Sequence, residues 1–267
     1  MRHYYFVFCQ DALLLSPEAD GTYSVPLQEQ PPVPVTPWTN VMEVAPMADG
    51  TPVRTYAVDG PVATFVTAEG TTPQAAEMYP LRQSYYKLPT DLYLKAGKCR
   101  ELLYWDQQSR YCGTCGSPMT MHTDISKRCT NCGKEVWPQL ATAVIALIHR
   151  GDEVLLVRAR NFRGDFYGLV AGFVETGETL EEAIAREALE ETGISISNIR
   201  YFGSQPWPYP CGLMVGFHAD YVGGALHLQH TELSTAGWFR RDNLPRLPEK
   251  LSIARQLIDS WLSSEQA

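Results

Sequence analysis

The segment Gly172–Ile194 constrains this chain more than any other part of its sequence, because it predicts one helix with defined ends. Thr179 is followed three residues later by Glu182, which is the spacing of a capping box. Gly193 is a typical helix terminator. Between these signals the sequence predicts a helix of about four turns at ~3.6 residues per turn.

Three glutamates share one face of this predicted helix. Glu187, Glu190 and Glu191 are spaced i, i+3 and i+4. Their carboxylates repel one another unless a cation neutralises them, and magnesium commonly bridges carboxylates to substrate phosphates. The alternative is an acidic face in contact with water, and the spacing alone favours that alternative.

The same segment resembles the Nudix box, whose pattern is G-x5-E-x7-R-E-U-x-E-E-x-G-U with U apolar. The fixed positions are filled by Gly172, Glu178, Arg186, Glu187, Ala188, Glu190, Glu191, Gly193 and Ile194. Only Ala188 is a weak example of U. The resemblance implies a loop–helix–loop on an α/β/α sandwich and hydrolysis of a nucleoside diphosphate linked to another group. It also implies that Glu187, Glu190 and Glu191 bind catalytic metal ions, and that Arg186 and Glu178 brace the helix.

Four of the seven cysteines form two CxxC pairs. Cys112 and Cys115 are followed, after thirteen residues, by Cys129 and Cys132. Two such turns bring four thiolates within reach of one tetrahedral ion, with Zn–S distances of ~2.3 Å. A closed set of four protein ligands leaves no position for substrate, so the spacing predicts one structural Zn²⁺. Reduced cysteines without a metal, or iron in the same cage, are the alternatives.

The remaining sequence predicts an α+β protein with three parts. We expect an N-terminal mixed β domain at 1–108, a four-cysteine zinc ribbon at 109–138 and a C-terminal Nudix α/β/α sandwich at 139–267. In the first part, Tyr4–Phe8 and Ala63–Val66 predict strands, 92–108 predicts a helix, and the proline-rich stretch 31–35 excludes a central strand. In the last part, the expected strands are 143–148, 154–157, 198–202, 213–222 and 237–239, and the expected helices are 179–192 and 250–262.

A second motif lies after the box, in Ser204-Gln205-Pro206-Trp207-Pro208-Tyr209-Pro210. Alternating prolines predict a stiff, extended segment that presents Trp207 and Tyr209 for stacking on a nucleobase or nicotinamide ring. The alternative is an edge segment whose aromatic rings cover the core. The run resembles the SQPWPxPxS signature of NADH pyrophosphatases within the Nudix family. It departs from the signature at its end, where Cys211-Gly212 replaces the closing serine and a hydroxyl donor is lost.

The resemblance implies further site residues. Glu232 matches another metal-binding glutamate of the family. The Ala171 carbonyl matches a backbone metal ligand, and Phe173 matches a ring that stacks on the substrate base. Substrate contacts are implied at Arg82, Asp124, Trp137, Gln205, Pro206, Trp207, Pro208, Tyr209, Pro210, Cys211, Gly212 and Ala254. Asp124 replaces a glutamate of the family pattern and has a shorter reach, and Arg82 could equally be an ordinary surface arginine.

These resemblances imply metal-dependent hydrolysis of the pyrophosphate of NAD(H), which gives NMN(H) and AMP. Two or three Mg²⁺ or Mn²⁺ ions would assist, with Glu190 or a neighbouring glutamate as general base. The same pocket would accept NAD at the 5′ end of an RNA, and the family resemblance implies a homodimer. One alternative is a Nudix hydrolase for ADP-ribose or another dinucleotide. The other is a sensor that binds NAD derivatives without cleaving them.

Charge and composition limit the partners. The chain has 22 Lys and Arg against 30 Asp and Glu, a net charge of −8, which disfavours a protein that binds long nucleic acid mainly through phosphates. The basic residues of the cysteine insert are too few to favour a nucleic-acid-binding zinc ribbon. No apolar run reaches the ~20 residues of a membrane helix, no signal peptide is evident, and the cysteine usage predicts a cytoplasmic location.

Overall fold

The structure is a computed structural model that describes residues 1–66, 73–160 and 164–264. The chain forms two compact units. Unit 1 is Met1–Gln139 with Pro208–Pro210, and unit 2 is Leu140–Trp207 with Cys211–Ala267. Helices and strands occur in both, which confirms the expected α+β class. The boundaries of the three expected parts stay predictions, and no described helix is long and apolar enough to cross a membrane.

Unit 1 is built mainly of short strands. Its strands are β1 (His3–Cys9), β2 (Ala12–Pro17), β3 (Tyr23–Ser24), β4 (Leu27–Gln28), β5 (Met42–Val44), β6 (Val53–Ala57), β7 (Thr64–Val66), β8 (Pro73–Ala75), β9 (Glu77–Pro80), β10 (Met119–Thr123), β11 (Ser126–Cys129) and β12 (Glu135–Val136). Its helices are α1 (Leu81–Ser84) and α2 (Thr90–Gln108). The main sheet has the order β3-β2-β1-β6-β5, with β4 beside β1 and β9 beside β2. Strands β7 and β8 form a pair, and β10-β11-β12 form a separate small sheet.

The core of unit 1 lies between its main sheet and α2. Alternate residues of β1 enter two clusters: Phe6 and Phe8 pack with the buried face of α2, whereas Tyr5 and Val7 pack on the opposite face. Both predicted strands of this part are confirmed, and no strand or helix forms over 31–35. Helix α2 begins two residues earlier than predicted, directly after Pro89.

Unit 2 has one six-stranded sheet between two helices. Its elements are β13 (Ala141–Arg150), β14 (Glu153–Ala159), β15 (Val170–Phe173), α3 (Leu180–Thr192), β16 (Ser195–Trp207), β17 (Gly212–Gly223), β18 (Leu233–Arg240) and α4 (Ile253–Ser263). The strand order is β16-β17-β13-β14-β18, with β15 beside β13. Strand β13 runs antiparallel to β14 and parallel to β17. The predicted hairpin between β13 and β14 is confirmed, and its turn contains Gly151 at φ 54°.

Strand β13 explains the layered arrangement of unit 2. Its run of apolar residues is buried on both faces because a strand alternates sides with period two. Val144, Ala146 and Ile148 join the cluster that contains the apolar face of α3. Ile145 and Leu147 join the cluster that contains the apolar face of α4. The two helices therefore cover opposite faces of the sheet, as the expected α/β/α sandwich requires.

Several predicted elements of unit 2 differ in extent, and strands β16 and β18 are longer than the predicted 198–202 and 237–239. Helix α4 begins at Ile253 rather than at residue 250, because Ser252 is its N-cap and accepts a hydrogen bond from the Arg255 backbone. The motif at 204–210 is extended only as far as Trp207, after which residues 208–211 form a turn. Pro206 still lies within β16, in register with Leu213, whereas Pro208 and Pro210 lie in the turn after the strand.

Candidate active site

Helix α3 has the two ends that its sequence predicts. The Thr179 hydroxyl accepts a hydrogen bond from the Glu182 backbone nitrogen at 3.2 Å, and the Glu182 carboxylate accepts one from the Thr179 nitrogen at 2.7 Å. At the other end Gly193 adopts a left-handed conformation with φ 70°. This reciprocal cap and its terminator hold the helix in place, and the three glutamates of its acidic face with it.

Glu187 occupies space that only a glycine at position 172 leaves open. Its side chain is buried, with 9% of the residue exposed. A Cβ atom built on Gly172 would lie 2.0 Å from the Glu187 carboxylate carbon, far inside contact distance. The glycine that opens the box is therefore required sterically, because the carboxylate of α3 lies directly against the β15 backbone.

Arg186 connects the acidic groups around the helix. Its guanidinium donates to both oxygens of Glu178, at 3.0 and 2.7 Å, and this ion pair lowers the pKa of Glu178 to about 2. It also donates to Glu187 at 2.9 Å and to Glu190 at 3.1 Å. A fifth bond, at 3.0 Å, reaches the Phe173 carbonyl in β15. These contacts join the loop before α3 to the helix, as expected for a pair that braces it.

Glu191 is the least satisfied of the helix carboxylates. Only 5% of it is exposed, and its Oε2 atom has no hydrogen-bond partner among the described residues. Burial, followed by the nearby carboxylates of Glu187 and Glu232, raises its pKa to about 8. A buried carboxylate that faces two others needs a proton or a cation. The acidic-face alternative is therefore wrong for Glu187 and Glu191, whereas Glu190 is exposed.

A cavity of about 370 Å³ opens beside these groups. It is lined by Val157, Ala159, Arg160, Leu169, Ala171, Glu191, Thr231, Glu232 and Leu233. Three of the predicted metal-binding positions, Ala171, Glu191 and Glu232, thus come from β15, α3 and a turn before β18 to meet at one cavity. The orphaned oxygen of Glu191 and this set of oxygen donors fit a divalent cation of the magnesium type.

Gln205 of the second motif is engaged by the protein itself. Its amide nitrogen donates to the Leu251 carbonyl at 2.7 Å, and its amide oxygen accepts from the Ile253 nitrogen at 2.8 Å. These bonds tie strand β16 to the start of α4. The side chain of Ala254, in the first turn of α4, is buried in the core, so a substrate contact there would have to come from its backbone.

Gly212, at the end of the second motif, has little room for a side chain. A Cβ on Gly212 would lie 3.0 Å from the Trp207 carbonyl oxygen. The hairpin between β16 and β17 is thus closed tightly at this position, and the Cys211 carbonyl accepts a hydrogen bond from the Ala141 nitrogen at 2.8 Å. In this chain the glycine that replaces the serine allows a close approach between backbone segments.

The aromatic residues predicted to contact substrate differ in exposure. Phe173 is 64% exposed at the end of β15 and is free to stack on a ring. Trp207 is half-buried. Tyr209 packs against the core of unit 1, its hydroxyl lies 3.1 Å from the Tyr93 hydroxyl, and burial raises its pKa. Tyr209 therefore fits the alternative in which a ring of the motif covers the core.

The other predicted substrate contacts stay predictions. In unit 1, Arg82 is exposed in α1, Asp124 is exposed in the turn between β10 and β11, and Trp137, after β12, is 48% exposed. Pro206 and Pro210 are exposed. Pro208 is buried, and its ring would lie 3.1 Å from a Cβ on Gly97 of α2.

The four predicted cysteines form one cluster in unit 1. Their Sγ atoms all lie within 4.8 Å of one another, with Cys112–Cys132 at 3.7 Å and Cys115–Cys129 at 3.4 Å. Tetrahedral bonds of ~2.3 Å to one zinc place sulfurs about 3.8 Å apart, so the cluster fits such an ion. The glycine after each pair has a left-handed backbone, with φ 73° at 116 and 72° at 133. This geometry supports a structural metal with four protein ligands.

Comparisons with known proteins show the family of this chain. A family model described as the NUDIX domain matches residues 138–261, and one described as an NADH pyrophosphatase-like rudimentary NUDIX domain matches residues 2–105. A protein of Stutzerimonas stutzeri named NAD-capped RNA hydrolase NudC is 40% identical over 218 residues, which cover 80% of this chain and 75% of that protein. This chain belongs to the Nudix hydrolase family. The resemblance and the hydrolase prediction are thereby confirmed.

A second named relative and a solved structure are also similar to this chain. A protein of the same name from Pectobacterium atrosepticum is 44% identical over 169 residues, which cover 63% of this chain and 65% of that protein. A solved Nudix hydrolase structure from Nitrosomonas europaea is 20% identical, covers 57% of this chain and 90% of that one, and has a TM-score of 0.49. The chain thus spans from about two thirds to three quarters of the length of these two named relatives.

Two features escaped the sequence reasoning. The match of residues 2–105 to a rudimentary Nudix domain was not predicted, because this region lacks the box and shows only short β-type runs. Arg160 lines the cavity but belongs to no motif. Its position directly after a buried strand was the only available signal.

Proposed function

We propose that this Nudix hydrolase cleaves the pyrophosphate bond of NAD(H) and releases NMN(H) and AMP. The observation that carries the proposal is the buried Glu191 carboxylate, which faces Glu187 and Glu232 at a cavity that Ala171 also lines. Relatives named NAD-capped RNA hydrolase and the NADH pyrophosphatase-like match of the N-terminal region support NAD as the substrate.

We propose that this site holds two or three Mg²⁺ or Mn²⁺ ions. Glu187, Glu190, Glu191, Glu232 and the Ala171 carbonyl would hold them. When bound, such ions neutralise a pyrophosphate and lower the pKa of a coordinated water. Glu190 is the exposed member of the helix glutamates, with 55% of its side chain accessible, which suits a general base that exchanges protons with solvent. Arg186 orients both Glu187 and Glu190 by hydrogen bonds.

Substrate orientation would come from aromatic faces. Phe173 offers an exposed ring whose backbone is held by Arg186, so its position is preorganised. Trp207 is held next to the tightly closed β16–β17 hairpin. Gln205 is hydrogen-bonded to the protein at both ends of its amide, which would hold this strand in place, and its contact with substrate stays a prediction.

Removal of an NAD cap from the 5′ end of RNA follows from the same chemistry. The bond to be cleaved is identical, and the named relatives are NAD-capped RNA hydrolases. The net charge of −8 indicates that the RNA beyond the cap would be held weakly. The four cysteines would bind one structural Zn²⁺, and the homodimer and the cytoplasmic location stay predictions.

Product analysis tests the proposal. The full chain is incubated with NADH, NAD-capped RNA or ADP-ribose, each with Mg²⁺ or Mn²⁺, beside Glu191→Gln and the control Glu181→Gln. Glu181 lies in the first turn of the same helix and is exposed. We expect NMN(H) and a 5′-monophosphate from the wild type and from Glu181→Gln, with none from Glu191→Gln.

The other outcomes separate the alternatives. Cleavage of ADP-ribose alone would keep the Nudix chemistry and refute NAD(H) as substrate. Tight binding of NAD without cleavage would favour the sensor, although the intact glutamates of the box argue against it.

A further inference from the structure

Arg160 lies in the wall of the cavity that carries the proposed catalytic glutamates. It follows the last residue of strand β14 and is exposed. Among the described residues that line this cavity, it is the one basic side chain, whereas Glu191 and Glu232 are the acidic ones. A cation in the wall of a site built from carboxylates needs a structural reason.

That reason lies in its contacts with the turn that carries Glu232. The Arg160 backbone nitrogen donates to the Glu232 carbonyl at 2.8 Å. Its guanidinium Nε donates to the His230 carbonyl, two residues earlier in the same turn. Arg160 therefore forms two hydrogen bonds with this turn, one through its backbone and one through its side chain.

The opposite side of the turn is tied to helix α3. The Gln229 nitrogen donates to the Glu191 carbonyl at 2.9 Å, and the Gln229 carbonyl accepts from the Glu232 nitrogen at 3.0 Å. The turn is thus hydrogen-bonded to Arg160, directly after β14, on one side and to helix α3 on the other. This arrangement brings Glu232 within interaction distance of Glu191. The position of the Glu232 carboxylate depends on both attachments.

We propose that Arg160 is a positioning residue, which holds Glu232 opposite Glu191 through the hydrogen bond from its guanidinium to the His230 carbonyl. The inference rests on the proposed function only in taking this cavity as the catalytic one. Groups that orient metal ligands without touching the metal typically contribute about 10- to 100-fold in affinity. Loss of the Arg160 side chain removes one of the two hydrogen bonds from Arg160 to the turn and leaves the backbone bond, so we expect about a tenfold effect.

Electrostatics alone predicts a change in the opposite direction. A guanidinium in the wall of the same cavity repels a divalent cation, so removing its charge should tighten cation binding. Removing a hydrogen bond that holds the Glu232 turn should instead weaken cation binding. The direction of the change in affinity therefore separates a positioning role from a purely electrostatic one.

The test is a Mn²⁺ titration of the full chain, with free Mn²⁺ measured by electron paramagnetic resonance. The variants are Arg160→Met, which has no donor, and Arg160→Gln, whose amide can still donate to the His230 carbonyl. Arg158→Met is the matched control, because Arg158 lies two residues earlier, near the end of β14, pairs with Asp165 at 3.0 Å and does not line the cavity. We expect Mn²⁺ binding about tenfold weaker in Arg160→Met, partly restored in Arg160→Gln and unchanged in Arg158→Met.

Each outcome decides a separate point. Unchanged or tighter Mn²⁺ binding by Arg160→Met would overturn the inference, and so would equal weakening in Arg160→Gln or a wild type that binds no Mn²⁺. In the supporting case, the kcat of Arg160→Met for NADH is low at limiting Mn²⁺ and recovers at high Mn²⁺. A wild type that binds Mn²⁺ normally but leaves NADH intact would refute the proposed function, while the binding comparison would still decide the role of Arg160.

Discussion

Glu191→Gln should stabilise the protein while it abolishes catalysis. The wild-type carboxylate is 5% exposed, and burial is the main cause that raises its pKa from 4.5 to about 8. The folded state therefore keeps a proton that the unfolded state releases above pH 4.5. Stability from this group is complete below pH 4.5 and is lost as the pH rises towards about 8.

The size of the effect follows from the two pKa values. At 1.36 kcal/mol per pKa unit, keeping the Glu191 carboxyl in its buried site costs about 3 kcal/mol at pH 7 and about 1 kcal/mol at pH 5. Glutamine carries no charge and removes this cost. Without added Mg²⁺ or Mn²⁺, we expect Glu191→Gln to raise the free energy of unfolding by up to these amounts.

Urea denaturation at pH 5 and pH 7 measures the difference, with Glu181→Gln as a control that should stay within about 0.5 kcal/mol of the wild type. Added Mn²⁺ should favour the wild type, because a ligand at 100 times its Kd contributes about 2.7 kcal/mol to the state that binds it. The reasoning is refuted if Glu191→Gln is no more stable than the wild type at pH 7. It is also refuted if the gain is the same at both pH values.

Three further substitutions test other parts of the structure. Gly172→Ala places a methyl group where the Glu187 carboxylate lies, and we expect kcat to fall by about 100-fold with an unchanged circular dichroism spectrum. The control Gly203→Ala should retain activity, because a Cβ at that position meets nothing within 4 Å. An equal loss of activity in both variants would contradict the steric argument. Elemental analysis should find no bound zinc in Cys132→Ser but should still find it in Cys9→Ser, because Cys132 belongs to the cluster and Cys9 does not. Zinc retained by Cys132→Ser would exclude the four-ligand site. The Lys127 ammonium lies 2.6 Å from the Asp106 carboxylate, and Lys127 is only 4% exposed. Lys127→Met leaves Asp106 without this partner and should lower the free energy of unfolding, measured by urea denaturation, by about 3–5 kcal/mol. A loss under about 1 kcal/mol would show that this ion pair is screened by water.

Local signals in the sequence determined the elements that carry the chemistry. The capping box and Gly193 predicted both ends of α3, and helical spacing predicted that its glutamates share a face. The two CxxC turns predicted the cysteine cluster, because each pair is brought together by a few residues of local backbone. The apolar run of β13 predicted a strand buried on both sides. These features depend on neighbours within one or two turns of chain.

Only the tertiary structure decided which of these groups are buried and what they face. The spacing of Glu187, Glu190 and Glu191 favoured a face in contact with water, yet packing against β15 buries Glu187 and Glu191 and exposes Glu190. The alternating prolines suggested two free aromatic rings, but Tyr209 packs into a core because residues 208–211 turn.

Arg160 shows the same limit most clearly. It reaches the Glu232 turn across 72 positions of sequence, and only the pairing of β14 with β18 makes these segments neighbours. Burial and charge environment depend on such contacts between distant segments. A local pattern can therefore predict which groups share a helix face, but it does not determine their solvation, their pKa or their partners.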